Sequence, residues 1–295
     1  MFRGYCLGLS AVIALGLASM ASPQAVETGV FVWRVDIPEF GGLSAIELAA
    51  DGIGFVAVSD HAAIFAGRLR RGDRGEVTGV DLDPERPVIP PSRHGAPVAA
   101  EMQDAEGLAV AADGTLFVSY ETEDRIVHYS ADGRAWLGED WPPAFATFTL
   151  NAGIEALAID ADGRLWAMPE RSPDPATIPV YRRAGTRWSQ PLALRRDGTW
   201  RPVGADFGPD GRLYLLERDY WPILGFMSRV RRIAVDGDRV VTDEVILRSE
   251  PGRYDNLEGL AVWQDGSGAI RLTMISDDNF LPTQRTEIVD YRLPQ

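Results

Sequence analysis

Five times along this chain a short apolar segment runs into Asp-Gly and a second apolar segment follows at once. The copies are Ser44-Ala-Ile-Glu-Leu-Ala-Ala-Asp51-Gly52, Glu106-Gly-Leu-Ala-Val-Ala-Ala-Asp113-Gly114, Glu155-Ala-Leu-Ala-Ile-Asp-Ala-Asp162-Gly163, Val203-Gly-Ala-Asp-Phe-Gly-Pro-Asp210-Gly211 and Glu258-Gly-Leu-Ala-Val-Trp-Gln-Asp265-Gly266. Asp-Gly between two apolar runs is a strong hairpin signal, since glycine accepts positive φ without a Cβ clash, and the expected link is a two-residue turn. Each first segment is built of small and branched residues, as a tightly packed inner strand requires. The second segments are Phe55–Ser59, Leu116–Tyr120, Leu165–Met168, Leu213–Leu216 and Ile270–Ser276, and further strands read outward, as at 64–69 and 76–82, or 230–235 and 240–247. Recurrence every few tens of residues, with four strands per copy, predicts an all-β fold: a single β-propeller of four-stranded blades.

The last copy shows only one further strand, 286–293, before the chain ends. A strand near the other terminus, 30–37, supplies the missing fourth and closes the ring, hiding two edges that would otherwise invite pairing between molecules. The count is five blades. A sixth stays open as the alternative, in the Pro-rich stretch 84–104, which has no strand pattern and reads as a loop.

The first residues lie outside this scheme. Arg3, an apolar run from Leu7 to Leu17 and Ser19-Met20-Ala21 form a signal peptide over 1–21, followed by a short linker, 22–29, and the propeller domain, 30–295. The apolar run is too short for a membrane span. The only cysteine, Cys6, falls inside the segment to be removed, so disulfides, thiol chemistry and cysteine-ligated zinc leave the list of functions. The formal charge of −14 becomes −15 without Arg3, because 1–21 hold that one base and no acid. Such a surface repels nucleic acid and anionic membranes, and it suits cations, neutral small molecules or anions handled through a metal. A monomer in the periplasm or outside the cell is the expectation.

Hairpin geometry gathers two columns of residues on one face of the disc. Seven positions before each Asp-Gly aspartate stand Ser44, Glu106, Glu155, Val203 and Glu258, and after each second strand stand Asp60, Glu121, Glu170, Glu217 and Asp277. Eight of these ten are acids. Their repulsion requires protons, arginines or a cation. Arg171, Arg218 and the nearby Arg125 are the sequence's candidates for pairing. Calcium, which takes six to eight oxygen ligands, suits a carboxylate ring; Glu106, Glu155 and Glu258, opening the most buried strands, are the expected ligands, with Asn279 as a neutral donor. Ser44, Asp60, Glu121, Glu170, Arg171, Glu217, Arg218, Asp277, Asp278 and Asn279 are expected to face the ligand, and Glu170 or Asp277 to act as base. No Gly-x-Ser-x-Gly, His-Glu-x-x-His or phosphate-binding lysine loop is present. Ser44 and His61 form the one nucleophile–base pair the columns allow. His94 and His128 read as surface and strand residues, and Trp33, Trp166, Trp188 and Trp200 as blade packing.

The runs Asn256-Leu-Glu-Gly-Leu-Ala-Val262, Ile275-Ser-Asp-Asp-Asn-Phe280 and Gln284-Arg-Thr, with looser matches at 104–109 and 120–126, resemble the family described as esterase-like activity of phytase. The resemblance implies an exported bacterial propeller with esterase or phosphoesterase activity, and propeller phytases bind calcium. Two functions follow: a calcium-assisted hydrolase of an ester or phosphoester at the channel mouth, or a propeller that binds a small ligand, an envelope component or a protein without chemistry.

Overall fold

The computed structural model describes residues 24–148 and 152–294. Strand β1 (Val26–Val32) comes first, and the blades follow in chain order. Blade one is β2 (Leu43–Leu48), β3 (Gly54–Ser59), β4 (Ile64–Arg71) and β5 (Val77–Leu82). Blade two is β6 (Ala105–Val110), β7 (Leu116–Tyr120), β8 (Arg125–Tyr129) and β9 (Trp136–Asp140). Blade three is β10 (Ile154–Ile159), β11 (Leu165–Pro169), β12 (Thr177–Ala184) and β13 (Arg187–Arg195). Blade four is β14 (Arg201–Phe207), β15 (Leu213–Trp221), β16 (Gly225–Asp236) and β17 (Arg239–Arg248). Blade five is β18 (Asn256–Gln264), β19 (Ile270–Asp277) and β20 (Glu287–Arg292), with β1 as its outermost strand. The result is a five-bladed β-propeller.

β1 pairs antiparallel with β20, from Val26 opposite Arg292 to Val32 opposite Glu287, so the N-terminal strand closes the ring as expected. Its bounds differ from the expected 30–37: residues 26–29 of the expected linker are already strand. The chain leaves the sheet at Trp33, whose side chain is buried and packs edge-on against Phe40, which precedes β2, and against Phe55 and Phe65 of blade one. The 84–104 stretch holds isolated bridges and one short 3₁₀ turn, Ala100–Met102, and makes no sixth blade. The expected signal segment lies outside the described residues.

The turns also differ from the two-residue expectation. In blade one Gly52 N–H donates to Ala49 O, and Asp51 Oδ1 accepts from Ile53 N–H at 2.8 Å. Only the glycine is left-handed, with φ of 67°. Aspartate thus serves as a side-chain acceptor for the turn backbone, which is the second reason for its recurrence. In the fifth copy the left-handed residue is Gly268, two places after Gly266.

Five apolar clusters, among the described residues, fill the five interfaces between blades. Trp166 and Trp200 are buried as blade packing, and Trp188 packs against the cluster between blades two and three. Around the axis the inner strands approach so closely that some positions leave no room for a Cβ. A Cβ at Gly259 would lie 2.8 Å from Ile46 N of blade one, and one at Gly107 2.6 Å from Glu155 O of blade three. This explains the Glu-Gly-Leu runs of blades two and five, where a neighbouring backbone leaves no room for a Cβ, whereas blades one and three carry Ala45 and Ala156 at the same place.

Candidate functional site

Each inner strand carries a β-bulge at one equivalent place. The register shifts between Leu43 and Ala45, Ala105 and Leu108, Ile154 and Ala156, Pro202 and Gly204, and Leu257 and Gly259. The residues inside these bulges are Ser44, Glu106 with Gly107, Glu155, Val203 and Glu258, which is the first column expected from the sequence. A bulge re-aims a side chain out of the regular alternation. Here it turns glutamates of otherwise apolar strands toward the axis.

Glu106, Glu155 and Glu258 meet Asp60, Glu121, Glu170, Asp277 and Asp104 around one well of about 320 Å³, with Arg171, Arg218 and Asn279 completing the wall. Beneath it the axis narrows to a void of about 10 Å³ walled by Ala45, Gly107, Leu108, Gly204 and Gly259, among others. The acids of the two columns, Glu217 excepted, thus form the wall of one cup.

Arg218 is the cup's internal counter-ion. Its Nη1 donates to Glu258 and, at 2.8 Å, to Asn256 Oδ1, while Nη2 lies 3.2 Å from Glu170 and 3.9 Å from Glu155. It occupies the side where blade four contributes no acid, since Val203 is buried in the core. Glu170 also receives Arg171 Nε at 3.0 Å and Arg201 Nη1 at 2.8 Å. Three guanidinium groups fix that carboxylate, so it anchors the wall and is a poor candidate for the base. Arg201 was missed by the sequence reading, which looked only at bases following second-column acids; it stands opposite Arg218 in the β14–β15 ladder. Asp104 was missed because it belongs to neither column; a left-handed backbone, φ 83°, brings it to the rim.

The other expected residues divide. Ser44 Oγ donates to Asp60 Oδ1 and does not meet His61, whose ring stacks on Phe280 at 4.2 Å. The Ser44–His61 pairing is therefore not formed. Glu121 Oε1 accepts Gly153 N–H at 2.7 Å, and Asp277 Oδ1 accepts Asn279 N–H at 2.6 Å. Asp278 does not line the cup; it accepts from Gly42 N–H at 2.9 Å and Phe280 N–H at 3.0 Å, pinning one loop to another. Glu217 is also absent from the wall. It is fully buried in blade four, accepting Arg229 Nε at 2.6 Å and Arg231 Nη1 at 3.1 Å. Arg125 lies outside the cup as well, over the rings of Tyr120 and Trp141. Glu106 has no hydrogen-bond or ion-pair partner among the described residues.

Eight carboxylates against two lining arginines leave most of the charge uncompensated. Burial, the largest cause in each case, drives up the proton affinities of Asp60, Asp104, Glu106, Glu121, Glu155, Glu258 and Asp277. Asp60 is raised to about 7 by burial and by Glu258, and Asp277 to about 7 by burial and by Asp60. Glu121 is raised to about 7 by burial. Burial also lifts Glu258 to about 7, although Arg218 opposes it. Glu106 and Glu155 are pushed well above the usual range, chiefly by burial. Near neutral pH the cup can hold and release protons.

Fold and site define a five-bladed β-propeller with an acid-lined cup on one face. Its residues 38–280 match the phytase-like family, described as esterase-like activity of phytase, and the chain belongs to that family. No curated protein matches it in sequence. Among solved structures it is similar to an α-L-arabinofuranosidase from Podospora anserina in complex with cellotriose, at 12% identity and a TM-score of 0.53, covering 92% of this chain and 98% of that one. It is also similar to the RRP9 WD40 repeats, at 8% identity and a TM-score of 0.51, covering 92% and 99%. At these identities the likeness concerns the fold alone. Among the described residues no helix is long and apolar enough to cross a membrane.

Proposed function

We propose that this protein is an exported hydrolase of ester or phosphoester bonds, working at the acid-lined cup with a bound calcium ion. The observation that carries the reading is the excess of carboxylates over arginines in one concave site, together with the family to which the chain belongs. Export is supported by the pattern of residues 1–21.

The donor chemistry of the cup fits a hard cation, since its wall offers carboxylate and amide oxygens. Glu106, with no partner of its own, would be the first ligand, joined by Asp60 and by the Oδ1 of Asn279, whose Nδ2 is spent on Gln284. Glu155 and Glu258, expected as ligands from the sequence, lean toward Arg218 and would join only if it released them. No three acids among the described residues are already drawn together as a ligand set, so binding would pull carboxylates inward and expel the protons they hold. Bound calcium would supply electrophilic polarisation of the substrate oxygen. The chain's own groups would do the rest. Asp277, raised to about 7 by burial and by Asp60 and left outside the ligand set, would take a proton from water. Arg171, half exposed on the rim, would orient an anionic or carbonyl oxygen.

The test is calorimetric titration with calcium in two buffers of different ionisation enthalpy, alongside hydrolysis of p-nitrophenyl acetate and p-nitrophenyl phosphate before and after chelation. Binding with proton release and chelator-sensitive turnover supports the reading. Turnover indifferent to chelation removes calcium from it. Binding without turnover on any ester favours the non-catalytic alternative.

A further inference from the structure

A second cavity, of about 530 Å³, lies beside the cup between the Pro-rich 84–104 stretch and the outer half of blade two. Val98 and Met102 from the crossing segment and Tyr129, Trp136 and Trp141 from the blade make most of its apolar wall. The turn after β7 separates the two sites: Glu121 lines the cup and Glu123 the cavity.

One charge in this wall is uncompensated. Arg125 is 6% exposed, yet it forms no ion pair among the described residues. Its Nη1 donates to Glu123 O at 2.9 Å and its Nη2 to Met102 O at 3.2 Å, and Nε makes no hydrogen bond among the described residues. Its guanidinium lies 4.5 Å from the ring centre of Tyr120 and 5.7 Å from that of Trp141. Backbone carbonyls and ring faces hold the group but leave its full positive charge in place. A buried charge is usually met by an opposite one. The two acids in the wall do not supply it: Glu139 is paired with Arg93 at 3.6 Å, and the Glu123 side chain is exposed. The size falls within the range of small-molecule sites, and aromatic walls with one fixed polar group are the usual makeup of such sites.

We propose that this cavity binds a small aromatic carboxylate, with the carboxylate on Arg125 and the ring system between Met102, Val98 and the two tryptophans. The half-exposed Trp141 forms the outer edge and contacts both parts of the ligand. The site is independent of chemistry in the cup and stands whether or not the cup is catalytic.

Titration calorimetry with 2-naphthoate tests it, with 2-naphthamide and 2-naphthylmethylamine as neutral and cationic controls. The carboxylate is expected to bind, the amide about tenfold more weakly, as loss of a charge-assisted contact predicts, and the amine not at all. Arg125→Gln is expected to bring carboxylate and amide to equal affinity. Should Arg125→Gln fail to fold, Ala96→Trp, on the exposed lip of the cavity, is expected to abolish naphthoate binding with an unchanged melting temperature. Absence of naphthoate binding, equal affinity for carboxylate and amide in the unaltered protein, or binding untouched by Ala96→Trp overturns the proposal.

Discussion

Arg218 of blade four donates through Nη1 to Glu258 of blade five and reaches Glu170 of blade three through Nη2 at 3.2 Å. One side chain, only 17% exposed, thus ties three blades together at the place where the acids are densest. Removing it would leave buried carboxylates facing one another.

Arg218→Gln is expected to destabilise the fold by about 3–5 kcal/mol, the usual cost of breaking a buried pair from one side. The loss should be larger at pH 8 than at pH 5, because at pH 5 the acids of the cup hold protons and repel less. Urea denaturation at the two pH values measures both.

Stability should fall with rising pH in the absence of divalent cations. Asp60, Glu121, Glu258 and Asp277 titrate at about 7 in the folded chain, against about 4 for unfolded carboxyls. Between those values the folded state holds more protons than the unfolded one. These groups therefore contribute stability below about pH 4 that is lost as the pH rises through about 7. Scanning calorimetry in chelator should show a lower melting temperature at pH 8 than at pH 5. If calcium enters the cup, it should raise the pH 8 value by more than the pH 5 value.

Glu217→Gln should cost about 3–5 kcal/mol, because Arg229 and Arg231 would lose their shared buried carboxylate. Calcium affinity should not change, since Glu217 is no part of the cup wall. A parallel fall in calcium affinity in a folded variant would return Glu217 to the site.

Gly259→Ala should destabilise the protein by about 1–3 kcal/mol, the cost of overpacking a tight interior. Its added Cβ would meet Ile46 N at 2.8 Å and Ala45 C at 3.0 Å, backbone atoms that cannot swing aside. Chemical denaturation reads the loss directly, and an unchanged midpoint would show that the ring can widen.

The sequence determined the repeat. Hairpins are local, so the Asp-Gly pairs, the small-residue inner strands and the outer strands of each blade were legible without the fold, and with them the ring, its closure by the N-terminal strand and most of the acid columns. Ser44, Glu106, Glu155 and Glu258 were placed by counting back from a turn, which works because the same bulge recurs at the same distance in every blade. Tertiary structure alone decided which charges meet. Glu217 occupies the same column as Glu121 and Glu170, yet two arginines on the next strand, Arg229 and Arg231, claim it for the blade interior. Arg201 and Asp104 enter the cup from positions the repeat does not mark, and Arg125, close in sequence to Glu121, ends in a different cavity. Strand pairing follows short-range sequence pattern, whereas the partner of a long charged side chain depends on distances between segments far apart in the chain, which only the closed ring sets.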